Sequence, residues 1–240
     1  MPAPLVVPAR YCGPPHSANG GWVSGHAARL VRTTAGLPAV SVRLVSPPPL
    51  DRPMRVRPAD GAVEVLDDEH LVLRAGPAAA PAGDVPDPVR YDEAVAAGAS
   101  FPGLRDHPFP TCFVCGTARD PADALALRPG PVAGGRRFAA AWVPEEPAAE
   151  LVWAALDCPG AWALGVGGRP MVLGTMTARV HALPDAGAEH VVMAWARGVQ
   201  GRKHLSGTAL HAADGRLLAR AEATWIAVDP AQVRPASAAP

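Results

Sequence analysis

Only one lysine, Lys203, stands among the 240 residues. Alanine, proline and arginine are abundant instead, a composition that reads mainly as GC-rich coding, so arginine counts carry little weight. No charge of either sign is in excess: 22 basic and 22 acidic residues leave a formal net charge of +0. This argues against a general binder of nucleic acid or membrane surfaces, both of which usually carry a basic excess. No apolar run approaches the roughly 18 residues that a membrane span needs. No G-x-S-x-G nucleophile elbow occurs, which disfavours an α/β-hydrolase, and no G-x-x-x-x-G-K-[ST] phosphate loop occurs. The first residues, MPAPLVVPAR, have neither the basic start nor the apolar segment of a signal peptide. The expected compartment is therefore the cytoplasm. In that setting the four cysteines, Cys12, Cys112, Cys115 and Cys158, read as reduced thiols or metal ligands rather than disulfides.

What is present is enough for a sizeable core. Apolar residues make up 49% and charged residues 18% of the chain. The length suits one large domain or two of roughly 100–130 residues. Residues 1–19 are proline-rich and end in CGPPHSANGG. GGWVSGHAARLVRT then has helical spacing, with Trp22, Val23, Ala27, Leu30 and Val31 on one face. Asn19 is its N-cap, and Gly36 and Pro38 end it. Val40, Val42 and Leu44 alternate with Ser41 and Arg43, the period of a half-buried strand. Short strands follow in MRVRP, AVEVL and LVLRA. GPAAAPAGDVPDP reads as a linker, with a short helix, YDEAVAAG, after it. The second half predicts a strand in RRFAAAWVP and helix on either side of Asp157 in ELVWAALDCPGAWAL. Long strands follow in MVLGTMTARVHAL, EHVVMAWARGV, RKHLSGTALHA and LLARAEATWIAV, joined by glycine turns.

The halves rhyme. DDEHLVLRA closes the first and ADGRLLARA nearly closes the second, each an acidic turn leading into an apolar strand with Arg74 or Arg220. A duplicated unit, one helix wrapped by an antiparallel sheet, is the simplest account. Two such sheets joined edge to edge protect their edges. The expected organisation is an α+β chain with one unit at 1–80, a linker at 81–110, a second unit at 111–230 and a disordered tail at 231–240.

Gly-Gly opening a helix before SVRLVSPPPLDRPMRV, together with VWAALDCPGAWA and QGRKHLSGTALHAADGRLLARAEATWIAV, resembles the thioesterase-like double hotdog proteins of bacteria. More distantly the chain is similar to the acyl-CoA thioesterase II family. The resemblance covers nearly everything but the linker. It implies a double hotdog fold and hydrolysis of acyl thioesters, typically acyl-CoA, with water as nucleophile and no cofactor. It also implies an acyl-CoA or acyl-carrier-bound partner and a homo-oligomer. Asp157, in LDC, matches the aspartate of the family's LDH pattern. The family pairs that aspartate with a threonine and a glutamine, which fall near Gly198 and Ala223, where this chain has neither. Glu222, Thr224 and Gln200 lie close by in sequence without falling on those positions. Hotdog hydratases follow their aspartate with a nearby histidine, and none follows Asp157.

Each candidate has two readings. Asp157 either activates water at a thioester carbonyl, with the N–H groups of the following helix binding the oxyanion, or caps that helix, with Pro159 in its first turn. Asn19, Gly20 and Gly21, with His16 before them, either line the acyl site, Asn19 holding water or carbonyl, or serve as a cap and as close-packing glycines. The turn Gly201-Arg202-Lys203 either meets CoA phosphates or is a solvated hairpin. Arg136 and Arg137 have a weaker form of the same claim. Cys112 and Cys115 have the C-x-x-C-G spacing of a zinc knuckle. Their partners are open among His107, His16, Cys12 and Cys158, and the alternative is a buried turn of small thiols; no metal is assigned. The six tryptophans read as core, with one or two lining an acyl tunnel.

Overall fold

A computed structural model describes residues 2–229; the expected tail at 231–240 lies outside them. The chain forms α1 (Gly20–Ala28), β1 (Ala39–Leu44), β2 (Arg55–Ala59), β3 (Ala62–Asp67), β4 (His70–Ala78) and α2 (Tyr91–Gly98). It continues with β5 (Gly130–Val132), β6 (Arg137–Trp142), α3 (Ala149–Ala163), β7 (Met171–Val180), β8 (His190–Gln200), β9 (Lys203–Ala212) and β10 (Leu217–Ala227).

All ten strands join one sheet in the order β2-β3-β4-β1-β7-β10-β9-β8-β6-β5. Read outwards from the centre, β1-β4-β3-β2 on one side repeats as β7-β10-β9-β8 on the other. Each run begins with the strand that follows a helix. The two sequence phrases that rhyme fall on β4 and β10, the corresponding strands. The seam is the antiparallel pair β1–β7, with Val40 opposite Ala178 and Val42 opposite Met176. All four of these side chains are buried. Neither half therefore leaves its seam edge unpaired, which removes a template for aggregation.

Strand alternation follows the pleat. Ala219, Ala221, Ala223 and Trp225 of β10 are buried, and Arg220, Glu222, Thr224 and Ile226 that alternate with them are only partly so, as expected where one face packs on helices. The main buried cluster draws from both halves, including Val42, Val65 and Leu73 with Leu156, Leu210 and Trp225. The stretch between β4 and β5 is not bare linker. Its helix α2 buries Ala94 and Ala97 in a second cluster with Ala139 of β6 and Met193 of β8.

Two expectations are corrected. Helix α1 stops at Ala28, with Arg29 as its C-cap, so Leu30 lies outside it and is 42% exposed. Helix α3 runs unbroken through Asp157 rather than beginning there. Asp-Cys-Pro is helix-start chemistry locally, but every residue from Leu151 to Trp162 is buried. Burying each large apolar side chain contributes about 1.5–3 kcal/mol. Several such burials exceed the cost of Pro159, about 3 kcal/mol or more for its missing N–H and ring clash.

Candidate active site

Helices α1 and α3 touch at two glycines one turn apart. A Cβ on Gly21 would lie 2.5 Å from Asp157 Cβ and 2.6 Å from the Trp153 carbonyl oxygen. A Cβ on Gly25 would lie 2.7 Å from Glu150 Cα. Only glycine permits this approach, and the approach delivers the first turn of α1 to the middle of α3. The duplicated unit read from the sequence sets the Gly20–Gly21 and Asp157 turns face to face across a shared crevice; the structure brings Gly21 into contact with Asp157 itself.

Asn19 caps α1 as expected: its Oδ1 accepts from the Trp22 N–H at 2.8 Å. Its Nδ2 donates to Asp157 Oδ2 at 2.9 Å. The Gly21 N–H donates to the same oxygen at 2.9 Å. The amide orientation of Asn19 is fixed by these two bonds, since only the nitrogen can donate to the carboxylate. Asp157 is therefore not a cap of its own helix but a receptor for the N-terminus of another. Its second oxygen, Oδ1, is buried and has no hydrogen-bond partner among the described residues. Burial pushes the Asp157 carboxyl up to about 7, against the lowering effect of the Gly21 N–H and the Asn19 amide. A carboxyl in that range exchanges its proton near neutrality, as acid–base work requires.

These groups line a cavity of about 470 Å³, within the roughly 300–1,000 Å³ of small-molecule sites. Its apolar wall includes Leu44, Val166, Leu173 and Ile226, with Trp162 and Trp225 as the two tryptophans that reach it. No arginine, lysine, glutamate, threonine or glutamine lines it among the described residues. His16 and Gly20 stand on its wall, whereas Gly21 sits behind them against α3. A Cβ on Gly20 would lie 2.9 Å from Leu173 Cδ2. The Gly20 N–H belongs to the first turn, where no carbonyl of the same helix can reach it.

Three of the four thiols share this wall. Cys112 Sγ and Cys158 Sγ are 3.6 Å apart. The sulfurs of Cys112, Cys115 and Cys158 all lie within 4.8 Å of one another. Hydrogen bonds from Cys115 and Cys158 favour the thiolate at Cys112, and burial opposes them. Cys115 is raised chiefly by burial, and Cys158 chiefly by its bonds to the other two thiols. His107, a sequence candidate beside them, is engaged at both ring nitrogens: Nδ1 accepts from the Phe109 N–H at 3.0 Å and Nε2 lies 3.0 Å from the Cys115 carbonyl oxygen. Burial lowers its pKa. Cys12 lies apart, donating to the Thr111 carbonyl at 3.2 Å, with Arg119 Nη1 at 3.5 Å.

The remaining sequence candidates are outside the cavity. Gly201 and Arg202 form the β8–β9 turn and Lys203 opens β9. Gly201 has φ +59°, a conformation glycine adopts freely. Lys203 is the cross-strand partner of Ile226, which lines the cavity. Arg169, which the sequence did not single out, has Nη1 3.4 Å from Nε2 of the next residue along β9, His204, whose side chain lies on the other face of the strand. Arg136 precedes β6, Arg137 opens it, and both are exposed. Glu222 pairs with Arg197 on the sheet, and neither Thr224 nor Gln200 reaches the cavity.

No protein-family model and no curated protein matches the chain. Solved structures do. A candidate thioesterase from Novosphingobium aromaticivorans aligns with a TM-score of 0.61 at 17% identity, over 94% of each chain. A protein of unknown function with a hot dog fold, from Alicyclobacillus acidocaldarius, aligns at 0.56 and 16% identity over 92% of this chain and 91% of its own. An acyl-CoA thioesterase II from Mycobacterium marinum aligns at 0.52 and 14% identity, over 91% of this chain and 92% of that one. The chain is similar to these proteins over nearly its whole length and has the hotdog fold.

Proposed function

We propose that the chain hydrolyses an acyl thioester, of the acyl-CoA or acyl-carrier type, with water activated at Asp157. The observation that carries the reading is the half-satisfied carboxylate. Oδ2 is held by Asn19 and Gly21, while Oδ1 is buried, unpartnered and belongs to a residue on the cavity wall. A fixed carboxylate with one open oxygen is what a positioned general base needs. The acyl group occupies the apolar part of the cavity. A thioester carbonyl beside Gly20 meets its free N–H, which stabilises the developing oxyanion. Water on Oδ1 gives its proton to the carboxylate and attacks the carbonyl carbon; the tetrahedral intermediate then expels the thiolate. Asn19 works on Asp157, holding its orientation, instead of on the substrate. Phosphates of a CoA-type substrate meet Arg202 and Lys203 at the rim. The likeness to proteins described as thioesterases supports the reaction class.

In this reading the repeated strand order marks two hotdog units, α1 with β1–β4 and α3 with β7–β10. They make a double hotdog within one cytoplasmic chain, further copies of which associate as a homo-oligomer.

The family's threonine and glutamine have no counterpart on the wall, which favours a second reading, a hotdog protein that binds the thioester without turnover. Continuous assay of thiol release from a panel of acyl-CoAs separates the two. Hydrolysis supports the first reading; saturable binding with no thiol released supports the second.

A further inference from the structure

The cysteine pair of the sequence lacked a selected partner, and the fold supplies one. Cys158 of α3 lies against the C-x-x-C turn of residues 112–115, 46 positions away. The three sulfurs lie within 4.8 Å of one another, and the Cys112–Cys158 separation is 3.6 Å. Tetrahedral zinc with Zn–S of about 2.3 Å sets its sulfurs about 3.8 Å apart. The cluster therefore needs only small adjustments to close on one ion.

Three further features suit a cation held by sulfur. Asn19 Nδ2 lies 4.0 Å from Cys112 Sγ. Trp162 Nε1–H donates to Cys115 Sγ at 3.4 Å, and Asn19 Nδ2 lies 3.8 Å from Cys158 Sγ. Each sulfur thus has an N–H neighbour of the kind that supports metal-bound thiolates. The turn itself is tight: the Gly116 N–H donates to the Cys112 carbonyl at 2.9 Å, and a Cβ on Gly116 would lie 2.5 Å from that oxygen. Among the described residues no arginine or lysine lines the cavity to compete with a cation. The other sequence candidates are excluded by their bonds or place. His107 has both nitrogens engaged, Cys12 sits beside Arg119, and His16 is exposed at the cavity wall.

We infer that Cys112, Cys115 and Cys158 form a binding site for one thiophilic divalent cation, zinc foremost, with the fourth position completed by a water from the cavity. Loading ties the 107–116 loop to α3 and so holds one wall of the cavity. Binding releases the thiol protons to solvent as the thiolates bind. The site stands independently of the proposed hydrolysis.

The test uses the full reduced chain, stripped with chelator and titrated with Zn²⁺ or Co²⁺ alone. One equivalent per chain is expected, with zinc held below micromolar Kd in competition with a chromophoric chelator. The Co²⁺ form is expected to show thiolate-to-metal charge-transfer bands and the strong visible bands of a tetrahedral site. Cys115→Ser and Cys158→Ser, checked for folding by circular dichroism, each weaken zinc binding at least tenfold, while Cys12→Ser leaves it unchanged. A wild-type titration with no saturable uptake, or a Co²⁺ spectrum without thiolate bands, overturns the site whatever the variants do. Equal loss in Cys12→Ser overturns the ligand assignment.

Discussion

Gly21→Ala probes the contact on which the site is built. The added Cβ would stand 2.5 Å from Asp157 Cβ and 2.6 Å from the Trp153 carbonyl oxygen. Ordinary carbon contacts are about 3.5–4.0 Å, so α1 and α3 must separate by about 1 Å. The Gly21 N–H to Asp157 bond, 2.9 Å here, then stretches past the range of a hydrogen bond. Overpacking costs about 1–3 kcal/mol, and weakening a bond to a charged group adds about 1.5 kcal/mol. The better helix propensity of alanine returns at most about 1 kcal/mol. The net expectation is a loss of about 2–3 kcal/mol, or roughly 4–12 °C in Tm for a chain of this size. Urea denaturation of Gly21→Ala measures it, with Gly168→Ala, whose Cβ meets nothing within 4 Å, as the control. Thiol release from an acyl-CoA, run on the same preparation, is expected to fall as well, because the carboxylate loses one of its two fixed donors. Equal stability of the two variants and unchanged thiol release would refute the close-contact argument.

Lys203→Glu, combined with Arg202→Ala, is expected to raise KM for acyl-CoA several-fold and to leave hydrolysis of a phosphate-free acyl thioester unchanged; equal effects on both would remove the rim from phosphate binding. The histidine contribution to stability should fall as pH drops below about 6.5, the unperturbed histidine value. Burial holds His26 and His211 below their ordinary values, against the raising effects of Glu150 and Asp87 respectively, and Arg29 adds to the lowering at His26. At these histidines the unfolded chain binds more protons in that window, which makes stability rise with pH; the Asp157 carboxyl, pushed up to about 7 by burial, binds its proton in the folded chain and works against them. In Asp157→Asn, where that opposition is gone, a Tm flat from pH 5 to 7.5 would contradict the histidine account, and adding His211→Gln should flatten the slope.

Much of this arrangement was legible before any coordinates. Asn19 followed by two glycines marked a helix start, and Val40, Val42 and Leu44 marked the seam strand. The rhyme around Arg74 and Arg220 pointed to a duplication, and the repeated strand order places those residues on equivalent strands. Local chemistry misled at Asp157. Asp-Cys-Pro is how helices begin, and only burial on all sides keeps α3 continuous there. The Gly20–Gly21 turn was expected to face Asp157 across a crevice; what local spacing did not encode is that Asn19 and Gly21 both donate to that carboxylate, more than 130 positions away. Cys158 could not be selected among four candidates because ligand sets are chosen by tertiary approach, and Arg169 meets His204 in a contact that no spacing encodes.

The central claim is that Asp157 activates water. Asp157→Asn keeps an oxygen for the Asn19 and Gly21 donors while replacing the open carboxylate oxygen with an amide that cannot take a proton. Single-turnover hydrolysis of an acyl-CoA by the folded variant is expected to slow by about 10²–10⁴-fold, the usual contribution of a positioned general base, with substrate affinity retained. Turnover at the wild-type rate in Asp157→Asn would contradict the account.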